Sequence, residues 1–138
     1  LKWWMGQSEE ARNAAFADGI DLKSGLQRIT DFVKSLEPNA NKVIMWARGQ
    51  DFDIGQLNDM YETMGMVPPW KFWNSRDTRT LYSAAVAKNG NEFELEREGT
   101  YHNALDDAIY QAHEMCWVYK ELGLTPDKPT KPLTERKE

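Results

Sequence analysis

Apolar residues recur at the helical period along most of this chain. Leu22, Leu26, Ile29, Phe32, Val33 and Leu36 fall on one side of a helix, with Asp21 placed to cap its start and Pro38 and Asn39 to close it. Ser8, followed by Glu9 and Glu10, predicts an earlier helix running to about Ala17 and ending at Gly19: a hydroxyl cap, then acids at the positive end of the dipole. A further helix is expected from about Asp53 to Met64, carrying Ile54, Leu57, Tyr61 and Met64 on one side, with Gly65 as its stop. Asp77 or Thr78 opens another through Ala87, unless 77–82 begins as a short strand. The last and most regular helix spans about Asn103 to Leu122. Leu105, Ala108, Ile109, Ala112, Cys116 and Tyr119 form its stripe, and Gly123 ends it.

One segment breaks this pattern. Val43-Ile44-Met45-Trp46-Ala47 has no polar alternation and reads as a strand buried on both faces, as in the middle of a mixed or parallel sheet. Residues 66–76 form an aromatic loop, Asn89-Gly90-Asn91 a turn, and 92–98 a polar stretch of no clear type. The count is one strand among about five helices, and a lone strand cannot make a sheet. Its partners must lie upstream or in another chain. The start at Leu1 rather than Met, running at once into Trp3-Trp4-Met5, predicts the same: a fragment, or a chain lacking its upstream part. From Thr125 onward the chain is rich in Pro and charge, and a frayed tail is expected over 125–138.

Composition narrows the function. The 138 residues are enough for one domain with a real core, and the net charge of −5 excludes a broad basic face for duplex binding. An acidic chain can still hold nucleic acid where divalent cations bridge its carboxylates to phosphate. Six Trp, five Tyr and five Phe are many for this length; Trp3-Trp4 and Trp70/Trp73 lie outside the periodic segments and serve either as core plugs or as stacking surfaces for bases. The single Cys116 sits in the last helix's apolar stripe, so a small buried hydrophobe in a reducing compartment is expected. No apolar run approaches the roughly 20 residues that span a bilayer. With no signal-peptide pattern, the cytoplasm is the default location. Nucleophile-elbow serines, a Gly-rich phosphate loop and zinc-ligand spacing are all absent from the sequence.

The chemistry concentrates in three places. His102 stands just before the last helix and Asp107 in its opening turns, a general base beside a carboxylate metal ligand, which suits metal-assisted hydrolysis. A neutral imidazole in that position can accept a proton from water. The helical wheel puts Asp106 about 100° and Asp107 about 200° from Leu105, so it does not choose between the two acids. His113, inside the helix, reads as structural. Asp51 and Asp53 follow the strand, where open α/β sheets place their sites, and either could be a cap or a ligand. Phe52 between them is core or a wedge against a terminal base. Arg76, Asp77 and Arg79 form a charged cluster, either an ion pair fixing the aromatic loop or an arginine fork on phosphate.

Together these residues resemble a known family. His102-x-Ala104-x-x-Asp107, preceded by a strand and loop ending Phe52-Asp53, resembles the second and third motifs of the DEDDh 3′–5′ exonuclease superfamily. The phage exonuclease A type and the small bacterial 3′–5′ exoribonucleases are nearer still. With them the chain shares Trp3-Trp4 with Gln7-Ser8 and Ala11-Arg12, the run Phe72-Trp73-Asn74-x-Arg76-Asp77-x-Arg79-Thr80, and His102-Asn103-Ala104-Leu105-Asp106-Asp107-Ala108. The resemblance covers roughly residues 3–120.

It implies an RNase H-like α/β fold with a mixed sheet flanked by helices, its first strands absent from this chain. Residues 1–124 would form the C-terminal two-thirds of one exonuclease domain. The implied activity is two-metal hydrolysis of nucleic acid from single-stranded 3′ ends of DNA or RNA, releasing nucleoside monophosphates, with two Mg²⁺ or Mn²⁺ held by four carboxylates. Carried over, Asp53 and Asp107 are metal ligands, His102 the general base and Asp106 an acid supporting them. Phe52, Asn103, Trp73, Arg76 and Arg79 fall to substrate. The family's first Asp-x-Glu motif is missing, so the chain has two of four ligands and by itself is expected to be inactive. The implied partners are nucleic-acid ends, with either a homodimer or association with an N-terminal segment. The alternative is a non-catalytic nucleic-acid- or protein-binding module that keeps the fold without the first carboxylate motif.

Overall fold

The computed structural model describes residues 2–16, 19–96, 99 and 102–125. The expected tail over 126–138 lies outside the described residues. Among the described residues six helices and a two-stranded parallel sheet make up this α/β structure: α1 Lys2–Met5, α2 Glu9–Phe16, α3 Leu22–Leu36, β1 Met45–Ala47, α4 Gln50–Thr63, β2 Ser75–Asp77, α5 Thr78–Asn89 and α6 Ala104–Leu122. A short 3-10 turn, Phe72–Asn74, leads into β2. Two compact units emerge, Leu1–Gly19 with Tyr82–Leu124 in one and Ile20–Leu81 in the other. Among the described residues no helix is long and apolar enough to cross a membrane.

The unit of residues 20–81 is organised around β1 and β2. They pair in parallel with Met45 opposite Ser75, Trp46 opposite Arg76 and Ala47 opposite Asp77. The expectation of a lone strand is thereby corrected, because β1 finds a partner within the chain. Sequence missed β2 for a plain reason: Ser-Arg-Asp is polar, three residues long and half-buried, so it carries neither an apolar run nor an alternation.

Leu26, Val43, Tyr61 and Trp70 are the buried centre of this unit, with Ile29, Val33, Met45, Leu57, Met60, Met64 and Met66 packed around them. Tyr61 meets Trp70 edge to face, ring centroids 5.5 Å apart. Trp70 is thus a core residue, and its indole N–H donates to Asn58 Oδ1 at 3.1 Å. The Tyr61 hydroxyl, the Thr30 hydroxyl and the Leu26 carbonyl form a triangle of oxygens with 2.9 Å edges, joining α4 to α3 inside the core. Two hydroxyl protons serve three edges, so no oxygen is stranded and no edge is indispensable.

α3 starts as expected. The Asp21 carboxylate accepts from Ser24 N at 3.0 Å, and hydrogen bonding from the Ser24 side chain and backbone holds its pKa below that of an ordinary aspartate. Its apolar stripe is wider than the surface covering it: Leu26 is buried and Ile29 and Val33 half-buried, whereas Phe32 and Leu36 stand exposed. With Val43, Ile44 and Met45 they border an apolar groove of about 470 Å³. α4 begins at Gln50, three residues before the expected Asp53. Gly49, at φ 95°, turns the chain there, and no side chain of the β1–α4 turn caps the new helix.

In the other unit Ala11, Ala85, Met115 and Val118 are buried apolar residues. Ser8 Oγ accepts from Ala11 N at 3.1 Å, the cap expected of α2. Trp117 lies between Tyr82 and Phe93, and Phe93 also meets Tyr110, with centroids 5.6–5.9 Å apart. α6 ends at Gly123 in the left-handed conformation, as predicted. Its packing differs from expectation. Glu114, Met115 and Val118 are buried, while Leu105, Ile109 and Cys116 are exposed. Cys116 is therefore a surface thiol rather than a core hydrophobe. Periodicity finds residues that share a face, but not which face meets a neighbour, and the buried face lies about 120° around the helix from the expected stripe.

Tyr61→Phe tests the hydroxyl triangle. Removing one vertex leaves the Thr30 bond to Leu26 in place, so urea unfolding should show a loss of about 1 kcal/mol, typical of a single net hydrogen bond. A loss well above about 2 kcal/mol would mean the Thr30 bond does not survive alone.

Candidate active site

Two helix starts carry the candidate residues, one in each unit. Parallel pairing sends β1 and β2 out of the sheet at the same edge, the edge where α/β sheets bear their sites. Beyond β1 comes Arg48-Gly49, and then α4, whose first turn exposes Asp51, Phe52 and Asp53. Asp53 is not a cap. It lies inside the first turn, its backbone N–H bonded to Gly49 O at 3.2 Å. Phe52 is 69 % exposed, which removes it from the core and leaves it free to stack.

The cap of α4 comes from outside it. Asp77, the last residue of β2, accepts from Gln50 N through Oδ2 at 3.2 Å and from Arg79 N through Oδ1 at 2.8 Å. One carboxylate thus serves the first turns of both α4 and α5. The α5 half of this role agrees with the expectation that Asp77 or Thr78 opens that helix, whereas the reach to Gln50 was not legible from the Arg76/Asp77/Arg79 cluster, whose charges suggested an ion pair or a phosphate fork. The available signal was the position of Asp77 ahead of a helix.

Its two arginine neighbours differ. Arg76 is half-buried, and its Nη1 donates to Trp73 O at 3.1 Å and Ser75 O at 3.0 Å, so it braces the aromatic loop. Arg79 is exposed, and its guanidinium lies over Gly49, where a Cβ would sit 3.1 Å from Nη1. A cation therefore stands at the start of the turn bearing Asp51 and Asp53. Trp73 is half-buried and meets the exposed Phe72 edge to face at 4.9 Å. Asn74, fully buried, donates to Asn41 O at 2.9 Å and ties this loop to the approach to β1.

The second helix start is that of α6. Asn103 caps it, Oδ1 accepting from Leu105 N at 3.0 Å and Asp106 N at 3.3 Å. Its amide oxygen is thereby committed to the backbone. Asp107 is half-buried in the first turn, its N–H bonded to Asn103 O at 2.9 Å. The Asp106 carboxylate packs against Gly99, which has φ 85° and leaves no room for a Cβ. His102 is exposed at φ 66°, a conformation rare outside glycine. Its ring meets Trp3 edge to face at 4.8 Å, and Trp3 meets Trp4 likewise at 5.0 Å. The Trp3-Trp4 pair, with Trp3 more than half exposed, forms an aromatic ledge beside His102 rather than a core plug. Sequence spacing alone could not reveal this contact across ninety-nine positions.

Asp53, Phe52, Trp73, Arg76 and Arg79 thus belong to the unit of residues 20–81, and His102, Asn103, Asp106 and Asp107 to the other. Among the described residues no three His, Cys, Asp or Glu side chains stand together as a metal site.

Comparison with known proteins gives the class. The family model of the 3′–5′ exoribonuclease Rv2179c-like domain matches residues 1–118, and the chain belongs to that family. It is also similar to an exodeoxyribonuclease of Enterobacteria phage T4, 30% identical over 101 residues, a match covering 62% of this chain and 44% of the relative. The chain thus spans less than half the length of that curated relative. No solved structure matches.

Gly49→Ala tests the turn ahead of α4. A left-handed alanine costs about 1–2 kcal/mol, and the new Cβ displaces the Arg79 guanidinium. Thermal or urea unfolding should register that loss, and a variant as stable as the parent would show that the turn does not need φ 95°.

Proposed function

We propose that this domain belongs to a metal-dependent 3′–5′ exonuclease with an RNase H-like fold, one that hydrolyses phosphodiesters from single-stranded 3′ ends by a two-metal mechanism and releases nucleoside monophosphates. The observation that carries the reading is the start of α6: His102 exposed in a left-handed turn, Asn103 capping and Asp107 in the first turn, in a chain of an exonuclease family. In this reading His102 accepts the proton of the attacking water, and the Trp3 edge orients its ring. Phe52 and Trp73 stack on terminal bases, Arg79 contacts phosphate, and Asp106 supports Asp107. Arg76 and Asn103 help chiefly by holding the loop and the helix that present these groups.

The proposed cofactor is Mg²⁺ or Mn²⁺, which would supply charge neutralisation at the scissile phosphate. The acids at hand do not make that site. Asp53 and Asp107 are two carboxylates, and no three-ligand group exists among the described residues. A complete centre therefore needs ligands beyond these. The same observation favours the second reading, a non-catalytic module that binds nucleic acid or protein with the exonuclease fold.

End-labelled single-stranded DNA and RNA separate the two. The full-length protein with Mg²⁺ or Mn²⁺ should shorten them from the 3′ end to mononucleotides, chelation should abolish this, and His102→Ala should lower the rate on the order of 10²–10⁴-fold. Binding without shortening would favour the binding module, and an unchanged rate in His102→Ala would overturn the role of His102 as the base.

A further inference from the structure

α4 and α5 start side by side at one edge of a parallel sheet, and α4 has no cap of its own. Asp77 answers both. It sits opposite Ala47, two residues before Gly49, so its carboxylate reaches Gln50 N at 3.2 Å while also holding Arg79 N at 2.8 Å. Asp53 follows Gln50 by less than one turn, and the N–H groups of Phe52 and Asp53 both donate to Gly49 O. Arg79, bonded to the same carboxylate through its backbone, lies over Gly49.

We propose that Asp77 is a positioning residue for the reaction, setting the first turn of α4, and with it Asp53, against the sheet edge. The inference rests on the exonuclease reading above. Asp77 touches no substrate; it acts through the backbone of Gln50. A helix start released from its clamp by about 1 Å misplaces the acid it carries, which is enough to lose on the order of 10²-fold in rate. A purely structural cap of α5 would instead affect stability and leave turnover alone.

Two substitutions in the full-length protein separate these roles. Asp77→Ala removes both bonds. Asp77→Ser keeps a hydroxyl able to cap α5 at Arg79 N but too short to reach Gln50. The expected result is that both variants lose kcat about 10- to 100-fold with KM changed by less than about threefold. Serine should recover the thermal stability lost in alanine and the slow amide exchange of Arg79, while the Gln50 amide exchanges fast in both. Recovery of kcat to within about twofold in Asp77→Ser overturns the proposal, since only the α5 cap would then matter. So does unchanged protection of Gln50 in either variant. Asp53→Asn, run in parallel, separates the two levels: its full activity overturns the exonuclease role of Asp53 and this inference with it. Loss of activity in Asp53→Asn with normal kcat in both Asp77 variants overturns this inference alone.

Discussion

The parallel pairing of β1 with β2 is what the unit of residues 20–81 depends on. Three residue pairs make a sheet too short to stand by itself. It holds because Val43 and Met45 run into the Leu26, Tyr61 and Trp70 core on the way in, and because Asp77 fastens both chains on the way out. Parallel strands leave the sheet at one edge, so two helices must begin there with their positive ends adjacent. A carboxylate accepting from both helix starts answers that electrostatic demand. The geometry that makes the edge a good place for chemistry also makes it a place that needs an acid for purely structural reasons.

That double demand explains why acids at helix starts are ambiguous. Asp77 and Asn103 are spent on backbone N–H groups. Asp51, Asp53 and Asp107 occupy first turns where the dipole alone would favour them. What lifts part of this set above helix chemistry is its company. His102 takes a left-handed backbone conformation, uncommon outside glycine, and Trp3 packs against its ring. A left-handed turn and an aromatic neighbour at one imidazole are unnecessary for a cap, and they occur in a chain that belongs to an exonuclease family over residues 1–118.

Much of the secondary structure was legible from local signals. Asp21, Ser8, Asn103 and Gly123 sit where their capping chemistry requires, and α3 and α6 run close to their expected ends. The failures share one cause. β2 is a strand only because β1 lies beside it, α4 starts at Gln50 only because Asp77 arrives from twenty-seven residues away, and Cys116 is exposed because α6 turns a different face inward. None of these is written in a window of neighbouring residues.

The amino-acid sequence by itself determined the longer helices, the caps of α2, α3 and α6, and the acids and imidazole at helix starts, because these follow from propensity, spacing and hydrogen-bonding capacity within a few residues. Only the tertiary structure decided the pairing of Ser75–Asp77, the clamp from Asp77 to Gln50, the Trp3 ledge beside His102 and the buried face of α6. Each of those joins residues distant in the chain. Their energies exist only once the intervening segments have folded to bring the partners within hydrogen-bond or van der Waals reach.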